Sequence, residues 1–181
     1  MVNHHSKRIK KRAATPHSYI VQRAKRVSGK RSMGKGELLW LTGYLGITPK
    51  KITSPSSFNE RLKVQKAVFL LKRLGVNPFT EYSFSLYLHG PYSSELAKDY
   101  YNLSESSSTA VQLGSNNKKI LNWFTEKDDA WLEVASSIIS VKERYAGVDK
   151  ETIYSVLTLS KPWVTPEMFE TVMSELTTKG L

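Results

Sequence analysis

Basic side chains are concentrated at the start of this chain. The first 36 residues contain eleven Lys and Arg and no Asp or Glu. The whole chain has 27 basic and 16 acidic residues, so the part from Glu37 onward holds sixteen of each and is neutral. The formal charge of +11 therefore belongs to residues 1–36. The cationic residues are Lys7, Arg8, Lys10, Lys11, Arg12, Arg23, Lys25, Arg26, Lys30, Arg31 and Lys35.

Such a cationic segment can bind a polyanion. Lys and Arg neutralise phosphates and release condensed counterions, which supplies affinity without reading the bases. RNA, DNA and an anionic lipid surface are candidate partners in that order. Lipid comes last because no Trp, Leu or Phe lies between the charges as a membrane anchor would. The composition therefore predicts nucleic-acid binding, to RNA or DNA, through these eleven side chains.

A second group of chemically capable residues surrounds the sequence HGPYS at 89–93. Backbone amides and Ser93 at a helix N-terminus could hold an anion. A strand-to-helix turn explains the same residues more simply, with Gly for an unusual φ, Pro for rigidity and Ser as the cap. Around this turn, Tyr87, His89, Tyr92 and Ser93 are predicted to form a partner-binding surface.

The remaining polar residues do not form a catalytic or metal-binding pattern. His4 and His5 are adjacent but lack further ligands, and the acidic Glu126, Asp128 and Asp129 suit the first turn of a helix. Without Cys, the chain has no thiolate metal site and no disulfide. No metalloprotease, phosphate-loop or serine-hydrolase motif occurs. We therefore expect a protein that is not an enzyme and uses no cofactor or metal.

A long helix is predicted at residues 58–74. Ser57 followed by Glu60 resembles a capping box, and Gly75 is a typical residue after a helix end. Apolar residues cover more than one face of the helix, which predicts a central position in the core. Gln65, in the middle of this helix beside Lys66, is expected to be buried and hydrogen-bonded to the neighbouring turn.

A strand is predicted next. Apolar and polar residues alternate from Tyr82 to His89, and Gly90-Pro91 ends the pattern. The following helix extends to Leu103, and residues 104–117 form a Ser-rich loop. Residues 110–113 within this loop could pair as a second strand and form a small hairpin or wing.

The expected fold is mainly α (α+β), a winged-helix-like helical domain with a small antiparallel β element. Residues 37–44 fit a short helix or strand, and residues 50–57 fit a loop. Three further helices are predicted to begin at Asp128 or Asp129, Asp149 and Thr165. The chain thus divides into a basic tail at 1–36 and a globular helical domain at 37–181.

Two motifs resemble a known superfamily. Residues 61–71 (RLKVQKAVFLL) are similar to its K-L-Q-K-L helix, and residues 82–96 (YSFSLYLHGPYSSEL) are similar to its strand followed by GPYS-x-E-L. Residues 62–103 resemble the uncharacterised YwgA-like prokaryotic proteins and, more distantly, the Panacea domain of antitoxins. Val64 and the basic tail depart from that pattern. The resemblance implies a helical domain related to winged helices, with an interaction role, because Panacea domains neutralise toxins by binding them. It implies no catalytic residue.

Two functions follow from these observations. One is a non-enzymatic, nucleic-acid-associated binding protein, whose tail contacts phosphates and whose neutral domain makes further partner contacts. The other is a protein-interaction module, such as a Panacea-like toxin-neutralising antitoxin or an adaptor. The helix that would enter a DNA groove carries Glu95 and Asp99 beside Lys98, which disfavours direct DNA reading by the domain.

The location is expected to be the cytoplasm of a prokaryote. No apolar run approaches the roughly 18 residues of a membrane span, and the N-terminus lacks the apolar core of a secretory signal. An Arg-rich start without acidic residues also fits an organellar transit peptide. The dense charge block from Lys7 to Arg12, without a sustained apolar face, disfavours that interpretation.

Overall fold

A computed structural model describes residues 35–104 and 108–181. Of the eleven predicted nucleic-acid-binding residues, ten lie outside these ranges, as do His4 and His5; the eleventh, Lys35, is described and exposed. The helices are α1 Lys35–Tyr44, α2 Pro49–Thr53, α3 Phe58–Arg73, α4 Ser94–Tyr101, α5 Ser115–Thr125, α6 Asp129–Arg144, α7 Lys150–Ser160 and α8 Pro166–Thr178. A 3₁₀ turn at Phe79–Glu81 and two short strands, β1 Ser85–Tyr87 and β2 Gly90–Tyr92, complete the described elements. The prediction of a mainly helical fold with a small antiparallel β element is confirmed.

Helix α3 lies at the centre of the domain. Every residue from Val64 to Leu71 is buried, including the polar Gln65 and Lys66. The helix packs against α5, α6, the 3₁₀ turn and β2. Helix α6 in turn packs against α7, α8 and β2. The predicted central helix is confirmed, and it passes directly behind the β-hairpin.

Three predicted helix starts are confirmed by their capping hydrogen bonds. The side-chain oxygens of Asp128, Asp149 and Thr165 accept from the backbone N–H groups three residues ahead, at 2.7, 2.7 and 3.2 Å. Each bond satisfies a donor that the first turn of a helix leaves free. Pro166 follows Thr165 at the first helical position, where proline is well tolerated.

The predicted capping box before α3 is wrong. Ser57 makes no side-chain capping bond. The carboxylate of Glu60 instead accepts from Lys51 Nζ at 2.8 Å. That ion pair joins α3 to α2, whose residues 50–53 are helical where a loop at 50–57 was predicted. Thr48 caps α2 by accepting from the backbone N–H of Lys51 at 3.2 Å.

Helix α5 begins inside the predicted Ser-rich loop at 104–117. Gly114 precedes it without a side-chain cap, and the first turn is polar, so local sequence signals are weak. Ile120, Leu121 and Phe124 are buried against α3. Tertiary packing of this apolar face therefore stabilises a helix that the residues at its N-terminus do not predict.

The β element differs from the prediction in both strands: β1 covers only Ser85–Tyr87 of the predicted strand at 82–89, and its partner is a different segment. β1 pairs with β2 immediately after it in an antiparallel hairpin, with Tyr87 opposite Gly90 and Ser85 opposite Tyr92. Residues 110–113 form no strand. Gly90, with φ of 83°, starts β2, although Gly90-Pro91 was predicted to end the strand. The hairpin is therefore tight, and residues 88 and 89 form its turn.

The predicted alternation does not bury one face of the hairpin. Leu86 and Leu88 are exposed, Leu88 with 63% of its surface. Tyr82 is buried and Phe84 partly buried, before β1 begins. Across residues 35–104 and 108–181, no helix has the length and apolarity needed to cross a membrane.

Candidate functional site

A cleft of about 340 Å³ opens between the first half of α3, the β-hairpin and α4. Five of its lining residues are aromatic, and we call it the aromatic cleft. These five residues are Phe58, Tyr87, Tyr92, Tyr100 and Tyr101. The volume lies within the range of small-ligand pockets.

The rings at the mouth of the aromatic cleft are substantially exposed. Tyr87 exposes 60%, Tyr101 52%, Phe58 46% and Tyr92 37% of its surface. Tyr87 and Tyr92 lie diagonally across the same face of the hairpin, and their rings meet edge to face with centroids 5.6 Å apart. Diagonal neighbours in a hairpin are within reach of aromatic side chains. The hairpin register therefore presents two tyrosine rings together at the cleft mouth.

Gln65 fixes the turn between β2 and α4. Its Nε2 donates to the carbonyl oxygen of Ser93 at 2.9 Å, and its Oε1 accepts from the Ser93 N–H at 2.9 Å. The predicted buried role of Gln65 is confirmed. Because both bonds join α3 to one residue of the turn, the wall of the cleft is held at a fixed position.

Lys66 lies at the floor of the aromatic cleft with only 2% of its surface exposed. Its Nζ donates to the carbonyl oxygen of Pro91 at 2.9 Å. The pKa of Lys66 is lowered to about 7, chiefly by burial; the Glu133 carboxylate raises the pKa and the Lys161 charge lowers it. The floor thus carries an amine that changes charge near neutral pH.

A second lysine supports the hairpin from behind. Lys161 Nζ donates to the carbonyl oxygen of Leu88 at 2.6 Å, and burial lowers the pKa of its ammonium group. Glu133 on α6 accepts from Nδ1 of His89 at 2.9 Å. The hairpin is therefore attached through polar side chains to α3, to α6 and to Lys161, the residue that follows α7, with the charge of Glu133 close to both lysines.

Arg61 stands at the rim. Its guanidinium donates to the carbonyl oxygens of Ser54 at 2.6 Å and of Pro55 at 3.2 Å, and it lies 5.9 Å from the ring centre of Tyr101. These partners are neutral carbonyl groups, and the nearby Glu60 carboxylate, which interacts with the Arg61 charge, forms its ion pair with Lys51. The arrangement gives the rim a fixed cation beside an exposed aromatic ring.

The structure brings three of the four predicted partner-binding residues together. Tyr87, His89 and Tyr92 line the aromatic cleft. Ser93 does not: it is 1% exposed, and its Oγ accepts from the Leu96 N–H at 3.2 Å as the cap of α4. For Ser93 the prediction of a partner contact is therefore corrected to the structural role of a helix cap, since burial keeps it from the surface.

Sequence reasoning missed the contribution of α3 to the cleft. Phe58, Arg61 and Gln65 are three and four residues apart, so they share one helix face. That spacing was available in the sequence. What the sequence did not show was that the hairpin covers this face, because its strand was expected to pair with residues 110–113.

Within the described ranges, no cluster of three His, Asp or Glu side chains is placed to hold a metal ion. Asp128 caps α6, in agreement with the predicted role of acidic residues at this helix start.

No family model, curated protein or solved structure matches the chain.

Proposed function

We propose that the protein is a non-enzymatic binding protein that associates with nucleic acid through the basic residues of the segment 1–36. The observation that carries this proposal is the segregation of charge. Eleven Lys and Arg without one Asp or Glu make the segment a strong electrostatic ligand for phosphates. The neutral remainder of the chain provides no comparable attraction.

In this proposal the domain supplies contacts other than phosphate neutralisation. Helix α4 carries Glu95 and Asp99, and Asp99 accepts from the hydroxyl of Tyr82 at 2.8 Å. Acidic side chains on this helix would repel a DNA backbone. The aromatic cleft, with its exposed rings and its cationic rim, is better suited to further partner contacts.

Deleting residues 1–34 tests the proposal, because the deletion leaves α1 complete from Lys35. Fluorescence anisotropy with labelled RNA and DNA would measure affinity, and circular dichroism would check that the helical signal is retained. We expect binding at physiological salt to fall by a hundredfold or more, on the order expected when several phosphate contacts are lost. Full affinity without the segment would refute the proposal.

A protein-interaction module is the second candidate, favoured by exposed apolar side chains at the cleft. Leu88, Tyr87 and Phe58 expose 63%, 60% and 46% of their surfaces, and contiguous apolar exposure marks interaction sites. The similarity to Panacea antitoxins implies such a role. A nuclease-treated pull-down with the full chain should then recover one stoichiometric protein, and Tyr87→Ala should release it.

A further inference from the structure

We infer that the aromatic cleft binds unpaired bases of single-stranded nucleic acid by stacking, with the adjoining phosphate near Arg61 and His89. The inference rests on the proposed nucleic-acid association and assigns it a second site. Single-strand binding sites combine aromatic platforms with a cationic groove. Both features occur here in one cleft.

The aromatic platform is the first line of support. Tyr87, Tyr92 and Tyr101 expose between 37% and 60% of their surfaces, although apolar rings of this size gain free energy by burial. A base has an apolar face and a polar edge, so it can cover a tyrosine ring while its edge stays hydrated. Stacking of this kind tolerates any base.

Charge in the cleft favours a phosphate-bearing ligand over an apolar protein segment. Arg61, Lys66 and His89 line the cleft, and no carboxylate does. Glu133 lies behind His89 and is 9% exposed. Glu133 is the counter-charge for His89 and Lys66, whereas the hydrogen-bond partners of Arg61 are backbone carbonyls. An apolar peptide that covered Arg61 would therefore desolvate its charge at a cost in free energy. A phosphodiester supplies the anion.

His89 can contact such an anion through its second ring nitrogen. Its Nδ1 donates to the Glu133 carboxylate at 2.9 Å, so Nε2 donates to an anion in the doubly protonated ring and accepts from a base amino group in the neutral ring. The side chain is 52% exposed, and its ring packs edge to face on Phe58 with centroids 5.0 Å apart. The imidazole is therefore both accessible and oriented.

The hairpin backbone that carries Tyr87 and Tyr92 is also held in place before any ligand binds. Lys66 and Lys161 donate to hairpin carbonyls on either side of Gly90, at 2.9 and 2.6 Å. A fixed platform loses little conformational entropy on binding. Bases in a duplex are already stacked on each other, so a cleft of this kind distinguishes unpaired from paired strands.

The test compares single-stranded and duplex oligonucleotides of one sequence, with the full-length protein at one salt concentration. Tyr87→Ala is the main variant, and Tyr145→Ala is the matched control, since Tyr145 exposes 53% of its surface outside the cleft. We expect Tyr87→Ala to weaken single-strand binding about tenfold, the loss typical of one stacked base. Duplex affinity should not change, and Tyr145→Ala should match the wild type on both ligands.

Two further variants make the outcome decisive. Tyr87→Phe keeps the ring and should keep single-strand affinity, and Tyr92→Ala should repeat the loss. Wild-type affinity of Tyr87→Ala for the single strand would overturn the inference, as would an equal loss on both ligands. So would release of a co-purified protein with nucleic-acid binding intact, which would assign the cleft to a protein partner.

Failure of the proposed function gives a different result. If the wild-type protein binds neither oligonucleotide, the nucleic-acid association itself is refuted. If it binds both and the 1–34 deletion abolishes binding, while Tyr87→Ala changes neither, the association stands and only the assignment of the cleft is refuted.

Discussion

Lys66 is a buried ammonium group whose direct partner is a backbone carbonyl. Its Nζ donates to the Pro91 oxygen, and burial lowers its pKa to about 7, well below the usual value of a lysine. Between these two pKa values the unfolded chain binds a proton that the native protein has released. Stability contributed by this residue therefore rises with pH across that interval.

Lys66→Met should reveal this linkage. We expect the free energy of unfolding of the wild type to rise relative to that of the variant between about pH 7 and pH 10. Below about pH 7 the difference should be constant, because Lys66 is protonated in both states. Urea denaturation at a series of pH values measures both proteins. The exposed Lys98→Met serves as the control, and a pH-independent difference for Lys66→Met would contradict the account.

Position 90 requires a glycine, both because of its backbone φ angle and because of the side chains close to it. Its φ is 83°, and a Cβ there would lie 2.8 Å from Ser137 Oγ and 3.1 Å from Ser136 Oγ. The sequence correctly indicated an unusual φ at this glycine. It could not show the close approach to α6, which depends on how the hairpin packs.

Gly90→Ala should therefore destabilise the fold by about 2 kcal/mol or more, through backbone strain and the contact with α6. Gly43→Ala is the control, because Gly43 lies in α1 with nothing within 4 Å of the added Cβ. There we expect a gain of about 0.5–1 kcal/mol from helix propensity. Thermal or urea unfolding would measure both, and a stable Gly90→Ala protein would refute the packing described for the hairpin.

Among the elements, helices with strong local signals were predictable from the sequence. Capping residues and periodic apolar faces located α6, α7 and α8, and the apolar run of 58–74 located α3. The α5 helix and the pairing of the hairpin were missed. The α5 helix depends on contacts with α3 that are distant in sequence, about which periodicity within a segment carries no information. The hairpin is local, and it was missed because Gly90-Pro91 was interpreted as the end of the strand, although Gly90 begins β2.

Asp128 and Ser57 were both predicted to cap a helix, but only Asp128 forms the capping hydrogen bond. Asp128 accepts from the Trp131 N–H at 2.7 Å, whereas Ser57 makes no capping bond. We expect Asp128→Ala to lower the free energy of unfolding by about 1 kcal/mol. Ser57→Ala should change it by less than about 0.5 kcal/mol. Equal losses in chemical denaturation would show that Ser57 does cap α3.

Over the whole chain, charge and aromatic surface are divided between two parts. Residues 1–36 hold the entire net charge, and the neutral part holds the aromatic cleft. The charge division was readable from composition alone. The cleft was predicted in part through Tyr87, His89 and Tyr92, but its floor and rim come from α3. In the proposed function, affinity comes mainly from the basic segment and preference for unpaired strands from the cleft.

The salt dependence of nucleic-acid affinity tests the central proposal most directly. The logarithm of the association constant should fall linearly with the logarithm of salt concentration, because phosphate neutralisation releases counterions. If six or more of the eleven basic residues engage phosphates, affinity should fall about 10³-fold or more between about 50 and about 200 mM salt. Replacing Lys7, Arg8, Lys10, Lys11 and Arg12 by Gln should reduce the slope, while Tyr87→Ala should leave it unchanged. Affinity that does not vary with salt would contradict the account.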